Sequence, residues 1–430
     1  MSYFKPISIS LSPNVEKDDV RLALNLIIRP WLWKKGKAIR EIEEQFKKYL
    51  GVKYAVSFNS GRSSFFAILK ALQGPSLQEK SKVLLQAFTC NAAINPILWL
   101  DLKPVYVDCD QDSFNMDIND LKAKISPETR VLMVQHTFGM PANMEEIMTI
   151  ACPPKPTGEG GCDSPLIVIE DCAHALGAEF NGQKVGTFGK AAFFSFSRDK
   201  VISSVYGGIA VTNDEVLGKK LEELQKEFEQ PSSFWVFQQL LHPILLNYII
   251  LPVYNFLDIG KIFLILSQWF HILSKAVHWK EKRGQRPDYF PKALPNALAL
   301  MALNQFKKLN KFNQHRQKIA EIYYNELKNT PFELPPKLEN RKNVFLRFTI
   351  KHPKAHEIIY EAWSKQNILI GDWYTSVIAP SDTKLDQMHY TFGMCPKAEE
   401  LAKTTLNLPT HINISQKDAE RIVAFLKKWN

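Results

Sequence analysis

Cysteine is scarce and unpatterned. Cys90, Cys109, Cys152, Cys162, Cys172 and Cys395 are the six in 430 residues. They form neither a C-x-x-C pair nor the rhythm of a disulfide scaffold, which speaks against a stapled secreted domain and for a reducing compartment. The N-terminus, MSYFKPISISLSPNVEK, has no apolar core of signal-peptide length, so export is not expected and the cytoplasm is. Internal repeats are missing, and no metal site is expected. The basic residues are dispersed, without a helix-turn-helix or RNA-binding aromatic motif, so nucleic acid is not an expected partner.

Charge is missing from one stretch. None occurs from Gln230 to Leu257, and after Asp258 and Lys261 a second uncharged run extends from Ile262 to Ser274. Aromatics dot it (Phe234, Trp235, Tyr248, Tyr254, Trp269, Phe270, Trp279), and a basic cluster follows at Lys275, Lys280, Lys282 and Arg283. The first run reaches the roughly 20 residues that a bilayer span needs. Pro231, Pro243, Pro252, Gln238, Gln239, His242 and Asn247 interrupt it and argue against a simple span. Two readings stay open. One is a helical hairpin in peripheral contact with the inner face of the membrane through residues 232–279. The other is a helical insertion packed on the body or on a dimer partner.

What is present is ordinary for a large core: 45% apolar and 23% charged residues, with a length that implies two or three domains. The net charge of +10 favours acidic partners such as phosphorylated substrates, and equally fits a plain basic surface. Strand-like runs at 53–58, 82–87, 104–108, 130–136, 166–171, 191–196 and 207–213 alternate with helical stretches. Most are continuous apolar runs, as in strands buried on both faces. Together they predict an α/β fold, with a mostly parallel seven-stranded sheet covered by helices. The predicted division is a large domain over 1–229, the apolar insertion over 230–285, and a smaller α/β domain over 286–430. In the last, one long helix is expected over 297–327, a strand over 345–350, and helices over 355–366 and 417–429. The segment 153–164 reads as a loop.

In a parallel α/β sheet, ligands sit beyond the carboxyl ends of the strands. LIVIEDCAHALGA ends a strand on Glu170-Asp171, and AAFFSFSRDK places Ser195 and Lys200 just past another. SFNSGRSSFFAILKAL runs from a strand through Gly61 into a helix. There the N–H groups of Arg62 and Ser63 are expected to point at a phosphate. A lysine that condenses with an aldehyde, a carboxylate that keeps a pyridine nitrogen protonated, and a phosphate cradle are what pyridoxal phosphate (PLP) requires. Each piece alone is commonplace: a surface lysine, a cap, a strand-to-helix turn. Their order along the chain gives the combination its specificity.

IVIEDCAHALGAEFNGQKVGTFGKAAFFSFSRDK, followed by YGGIAVTND, resembles the central signature of the DegT/DnrJ/StrS aminotransferases, sugar aminotransferases among the fold type I PLP enzymes. NSGRSSFFAIL, LLQAFTCNAAINPILWLDLKPVYVDCD, VQHTFGMPANM, PNALALMALNQFKKL and LNLPTH resemble the family's other blocks. The resemblance covers nearly the whole chain except about 230–285. It implies Lys200 as the Schiff-base lysine and proton shuttle, and Asp171 as the partner of the pyridinium nitrogen. It places Ala173 on the ring face and His174 near the phenolic oxygen. Ser195 would bind phosphate, with Gly61, Arg62 and Ser63 at the other wall. It also implies a homodimer with active sites completed across the interface, a keto-sugar substrate, nucleotide-linked, and glutamate as amino donor. Three positions depart from the family's pattern. Cys90 stands where an aromatic often stacks on the cofactor, with Phe88 as a candidate substitute. Val201 stands for an Asn and Tyr206 for an acidic residue. Other PLP chemistry, such as sugar dehydration or action on a lipid-linked sugar, and a non-catalytic descendant are the alternatives.

Overall fold

The computed structural model describes residues 5–74, 81–152 and 166–429. The loop expected over 153–164 lies outside them. Its centre is a seven-stranded sheet of β1 (Tyr54–Phe58), β2 (Lys82–Gln86), β3 (Lys103–Val107), β4 (Thr129–Gln135), β5 (Ile167–Asp171), β6 (Ala191–Ser195) and β7 (Gly208–Thr212). Their spatial order is β1-β7-β6-β5-β4-β2-β3. β7 runs antiparallel to both its neighbours, and the other pairings are parallel. The continuous apolar runs have the predicted cause. Successive residues such as Val56 and Ala55, or Ala210 and Ile209, enter cores on opposite faces of the sheet.

Helices α1 (Lys17–Ile27), α2 (Ala38–Leu50), α3 (Gly61–Leu72), α4 (Asn91–Leu98), α5 (Glu215–Glu227), α6 (Ser233–Leu245), α7 (Ile259–Trp269), α8 (Asn296–Phe306) and α9 (Leu309–Leu327) follow in chain order. One face of the sheet is covered by α3, α4 and α5 through Phe65, Ile94 and Leu221. The other is covered by α1, α2, α6 and α8 through Leu26, Phe46, Val236 and Leu298.

The single helix expected over 297–327 is two helices, α8 and α9. At the break, Lys308 N bonds Gln305 O instead of continuing the helical ladder. The Lys308 ammonium is drawn to Asp18 and Asp19 at 2.8 and 2.9 Å. The smaller domain packs α9, the helices Ala355–Lys365 and Gln416–Leu426, and the antiparallel pair Phe348–Lys351 and Thr405–Leu408 around Tyr323, Phe348 and Ile422. Its first strand starts three residues later than the sequence suggests. Phe345 has φ +47°, which extended backbone does not accommodate.

The domains interlock across the boundaries drawn on the sequence. Ile7–Ser8 pairs with Ile368–Leu369, so the start of the chain belongs with the smaller domain. α8 belongs to the core of the large one. Thr89–Cys90 pairs with Ile378–Ala379, which brings the smaller domain to the carboxyl end of the sheet.

The apolar insertion divides into unlike halves. α6 packs on the body through Trp235, Val236 and Leu240. It continues through a π turn, Leu246–Ile250, and a 3-10 turn, Leu251–Val253. α7, by contrast, buries only Gly260 and Ser267. Cys90, Cys109, Cys172 and Cys395 are free thiols. Cys152 is disulfide-bonded, a pairing that the spacing of the cysteines did not signal.

Candidate active site

The carboxyl ends of β5 and β6 are adjacent, with Asp171 opposite Phe193 in register. Between them and the smaller domain lies a cavity lined by Gly61, Cys90, Asp171, His174, Lys200 and Trp373, among others. Ala173, Ser195 and Arg62 also reach it.

Asp171 closes β5. One carboxylate oxygen, Oδ1, accepts from Ala173 N at 2.9 Å. Burial raises its pKa above the ordinary carboxylate value, against that hydrogen bond and the Lys200 charge. Behind it, Glu170 accepts from the N–H groups of Gly186, Phe188 and Gly189 at 2.7–2.8 Å. His136 Nδ1 accepts from Ala142 N, which puts the ring proton on Nε2 and aims it at Glu170, 3.1 Å away. His136, Glu170 and Cys172 lie close enough to hold a metal, but these hydrogen bonds already occupy the donor atoms of the first two. The network buttresses the end of β5.

The Lys200 amine is pushed down to about 8 by burial, assisted by Arg347 and opposed by Asp171. Its backbone is tied down from afar. Asn14 Nδ2 donates to the carbonyls of Lys200 and Val201, and Arg316 donates to Val201 O at 2.8 Å. Val201 itself is a core side chain, so its departure from the family pattern is a packing choice at this position.

The turn from β1 into α3 is capped by Ser60, whose Oγ accepts from Ser63 N at 3.0 Å. The Ser63 hydroxyl donates to Asn59 Oδ1 at 2.7 Å. Ser63 is therefore spent on the cap rather than aimed at the cavity, as the sequence had suggested, and the turn presents Gly61 and Arg62 instead. A Cβ on Gly61 would lie 2.8 Å from Ser195 Cβ; the close approach of β6 to the turn needs glycine here. The Arg62 guanidinium forms an ion pair with Glu281 and lies over the Phe290 ring, 4.9 Å from its centroid. Glu281 is fully buried, so the Arg62 side chain is committed to the insertion.

His174 is buried, and desolvation, with Lys200 and Arg347 nearby, lowers its pKa well below the ordinary value. Its Nδ1 accepts from Phe138 N. The ring is neutral and keeps the Nε2–H as its free donor. It stacks near-parallel with Phe138 and with Trp373, with centroids at 6.0 and 5.4 Å.

Phe88 is no substitute for an aromatic at position 90. It is fully buried with φ +55°, packed against Phe114, Phe138 and Tyr374. Besides Phe193 and Tyr206 of the large domain, the cavity is lined by Trp373 and Tyr374 of the smaller domain, which the sequence reading missed. No local motif marks them, since only tertiary folding brings them to the strand ends. Also missed were Ala276 and Val277, which bring the end of the insertion into the cavity wall. Tyr206 explains part of this. Its hydroxyl donates to Lys275 O at 2.9 Å, and Arg198 Nη2 donates to Ser274 O at 2.8 Å.

The profile of the DegT/DnrJ/EryC1/StrS aminotransferase family matches residues 14–234 and 280–427. The chain belongs to this family. The stretch left unmatched, 235–279, lies within the apolar insertion and includes Ala276 and Val277 of the cavity wall. Along almost its whole length the chain is similar to GDP-perosamine synthase of Caulobacter vibrioides, 25% identical over 429 residues and 99% of each chain. It is also similar to UDP-N-acetyl-3-dehydro-alpha-D-glucosamine 3-aminotransferase of Acidithiobacillus ferrooxidans, 26% identical and covering 96% of this chain and 94% of that one. Among solved structures, the aminotransferase PseC of Helicobacter pylori superposes with a TM-score of 0.70 at 21% identity, covering 99% of both chains. DesV of S. venezuelae gives 0.70 at 21%, covering 96% of this chain and 94% of that one. These likenesses show the fold of this aminotransferase, the fold type I architecture expected from its sequence.

Proposed function

We infer that this aminotransferase uses pyridoxal 5'-phosphate to move an amino group from glutamate to a keto carbon of a nucleotide-linked sugar, in glycan or secondary-metabolite biosynthesis. The observation that carries the reading is the meeting of the Lys200 amine and the Asp171 carboxylate beside the close Gly61–Ser195 approach. These residues fit the cofactor: an amine that is partly neutral near pH 8, a buried carboxylate, and a cradle that a Cβ would fill. The relatives that act on GDP- and UDP-linked sugars by name support the substrate class, as does the net charge of +10.

When bound, the cofactor supplies an electron sink that stabilises negative charge on the carbon losing its proton. The chain supplies the rest. Lys200 Nζ, with a pKa near ambient pH, is suited both to take up and to return a proton. Asp171 would hold the protonated ring nitrogen at the sheet end, where a positive neighbour would favour its ionised form against the burial that raises its pKa. The His174 Nε2–H offers a neutral donor, and Ala173 a small apolar surface. Ser195 and the N-terminus of α3 favour a phosphate. Trp373 and Tyr374 exclude water from one side. The reading includes a homodimer working in the cytoplasm.

The test is the visible absorption spectrum of the purified protein supplied with PLP, before and after L-glutamate. A yellow band that bleaches on adding glutamate is expected. No band, or a band indifferent to every amino donor, overturns the reading.

A further inference from the structure

The insertion presents an apolar helix to the outside. On and around α7, Leu257, Ile262, Ile265, Leu266, Trp269 and Phe270 are exposed, several by more than half: Ile265 64%, Trp269 71%, Phe270 63%. Their neighbours carry an excess of positive charge: Lys261, Lys280 and Lys282 meet the carboxylates of Asp258, Asp288 and Asp382, and Lys275, Arg283 and Arg286 stand beyond those pairs. From Ile259 to Arg286 the sequence holds six lysines and arginines (Lys261, Lys275, Lys280, Lys282, Arg283, Arg286) and one carboxylate, Glu281. Glu281 is buried and taken by Arg62, so it offsets nothing outside. Trp269, Phe270 and Trp279, all exposed, have the amphipathic or bulky rings that favour a headgroup boundary.

Two other occupants fit less well. α7 has 11 residues, about 16 Å of helix, roughly half of a hydrocarbon core; and the longer apolar stretch Ser233–Val253 has half of its most apolar window buried in the body. Neither is placed to span. A second copy of this chain, docked symmetrically on α7, would bring two cation-rich segments together, with the nearby Asp258, Asp288 and Asp382 already paired to Lys261, Lys280 and Lys282.

We propose that α7 and its basic surround form a docking surface for an anionic lipid bilayer, holding the enzyme on the membrane by an interfacial helix. The same segment then enters the active site. Five residues beyond α7, Ser274 and Lys275 are pinned by Arg198 and Tyr206, and Ala276 and Val277 line the cavity. The docked element and one cavity wall are thus continuous chain, and the sugar is processed at the membrane surface. The surface is independent of which sugar the site takes.

The test is flotation of the full-length protein with vesicles of phosphatidylcholine alone and of phosphatidylcholine with phosphatidylglycerol, without substrate. Binding to the anionic vesicles and release by salt are expected. The triple variant Ile265→Gln, Trp269→Gln, Phe270→Gln alters only exposed side chains, so its melting temperature stays near that of the parent. Its vesicle affinity falls by about tenfold or more. Lys275→Glu with Arg283→Glu weakens binding to the anionic vesicles only. Failure to float with anionic vesicles, or floating that the triple variant leaves unchanged, overturns the proposal. So does a triple variant that changes the molecular mass in light scattering, which would assign the face to a second copy. None of these outcomes touches the PLP spectrum, which tests the reaction separately.

Discussion

The Lys200 ammonium lies over the face of Trp373, 4.9 Å from the ring centroid, while the Arg347 guanidinium sits 3.4 Å from the same centroid. An indole from the smaller domain thus shares its electron-rich surface between the reactive lysine of the large domain and a buried cation. The contact makes the Lys200 environment a product of domain closure.

The first prediction follows from that contact. Burial is the main cause that holds the Lys200 pKa near 8. Trp373→Leu admits water beside the amine, and its pKa rises toward the ordinary lysine value. The pH midpoint for reaction of the cofactor-free protein with a small aldehyde is expected to move above 8. An unmoved midpoint would show that other groups set the amine's acidity.

Lys200→Met should separate function from stability. Transamination should be lost, falling by at least about a thousandfold. The cofactor-free variant should nevertheless be more stable than the parent at pH 7. The folded-state pKa of Lys200 is depressed from 10.5 to about 8, so protonation favours the unfolded chain. That cost is fully present below about pH 8 and fades as pH rises toward 10.5, and it is at most about 3 kcal/mol. Denaturant unfolding at pH 7 and at pH 10 checks the sign, because the gain should shrink at the higher pH.

Gly61→Ala places a methyl 2.8 Å from Ser195 Cβ and 3.2 Å from Ser195 Oγ. The turn must open, and the phosphate cradle with it. PLP affinity is expected to fall by about tenfold or more, with a stability loss of about 1–3 kcal/mol from overpacking. Titration of the apo variant with PLP, read by the visible band, measures it.

Glu281→Gln leaves the Arg62 cation buried without its charged partner. A loss of about 3 kcal/mol is expected, because the desolvated charge is no longer compensated. Arg62→Met together with Glu281→Met should recover most of it, since removing both charges removes the penalty. A double variant no better than the single would mean that the pair does more than neutralise itself.

Sequence alone determined the sheet and half of the site. Buried strands between helices need continuous apolar runs, and all seven strands lie within a residue or so of where those runs fall. Asp171, Ser195 and Lys200 are legible because their positions relative to strand ends are local facts, set by backbone geometry. Tertiary structure decided the rest. Ser63 turned into a cap because Ser60, three residues earlier, was close enough to bond it. Arg62 was claimed by Glu281, more than two hundred residues away, and Trp373 came to Lys200 across the domain boundary. Charge pairing and ring stacking act through space, so no spacing along the chain encodes them. The apolar insertion shows both limits at once. Its composition left membrane contact and a packed insertion both open, and only folding determined that α6 would pack into the core, α7 would remain outside, and the residues after it would wall the cavity.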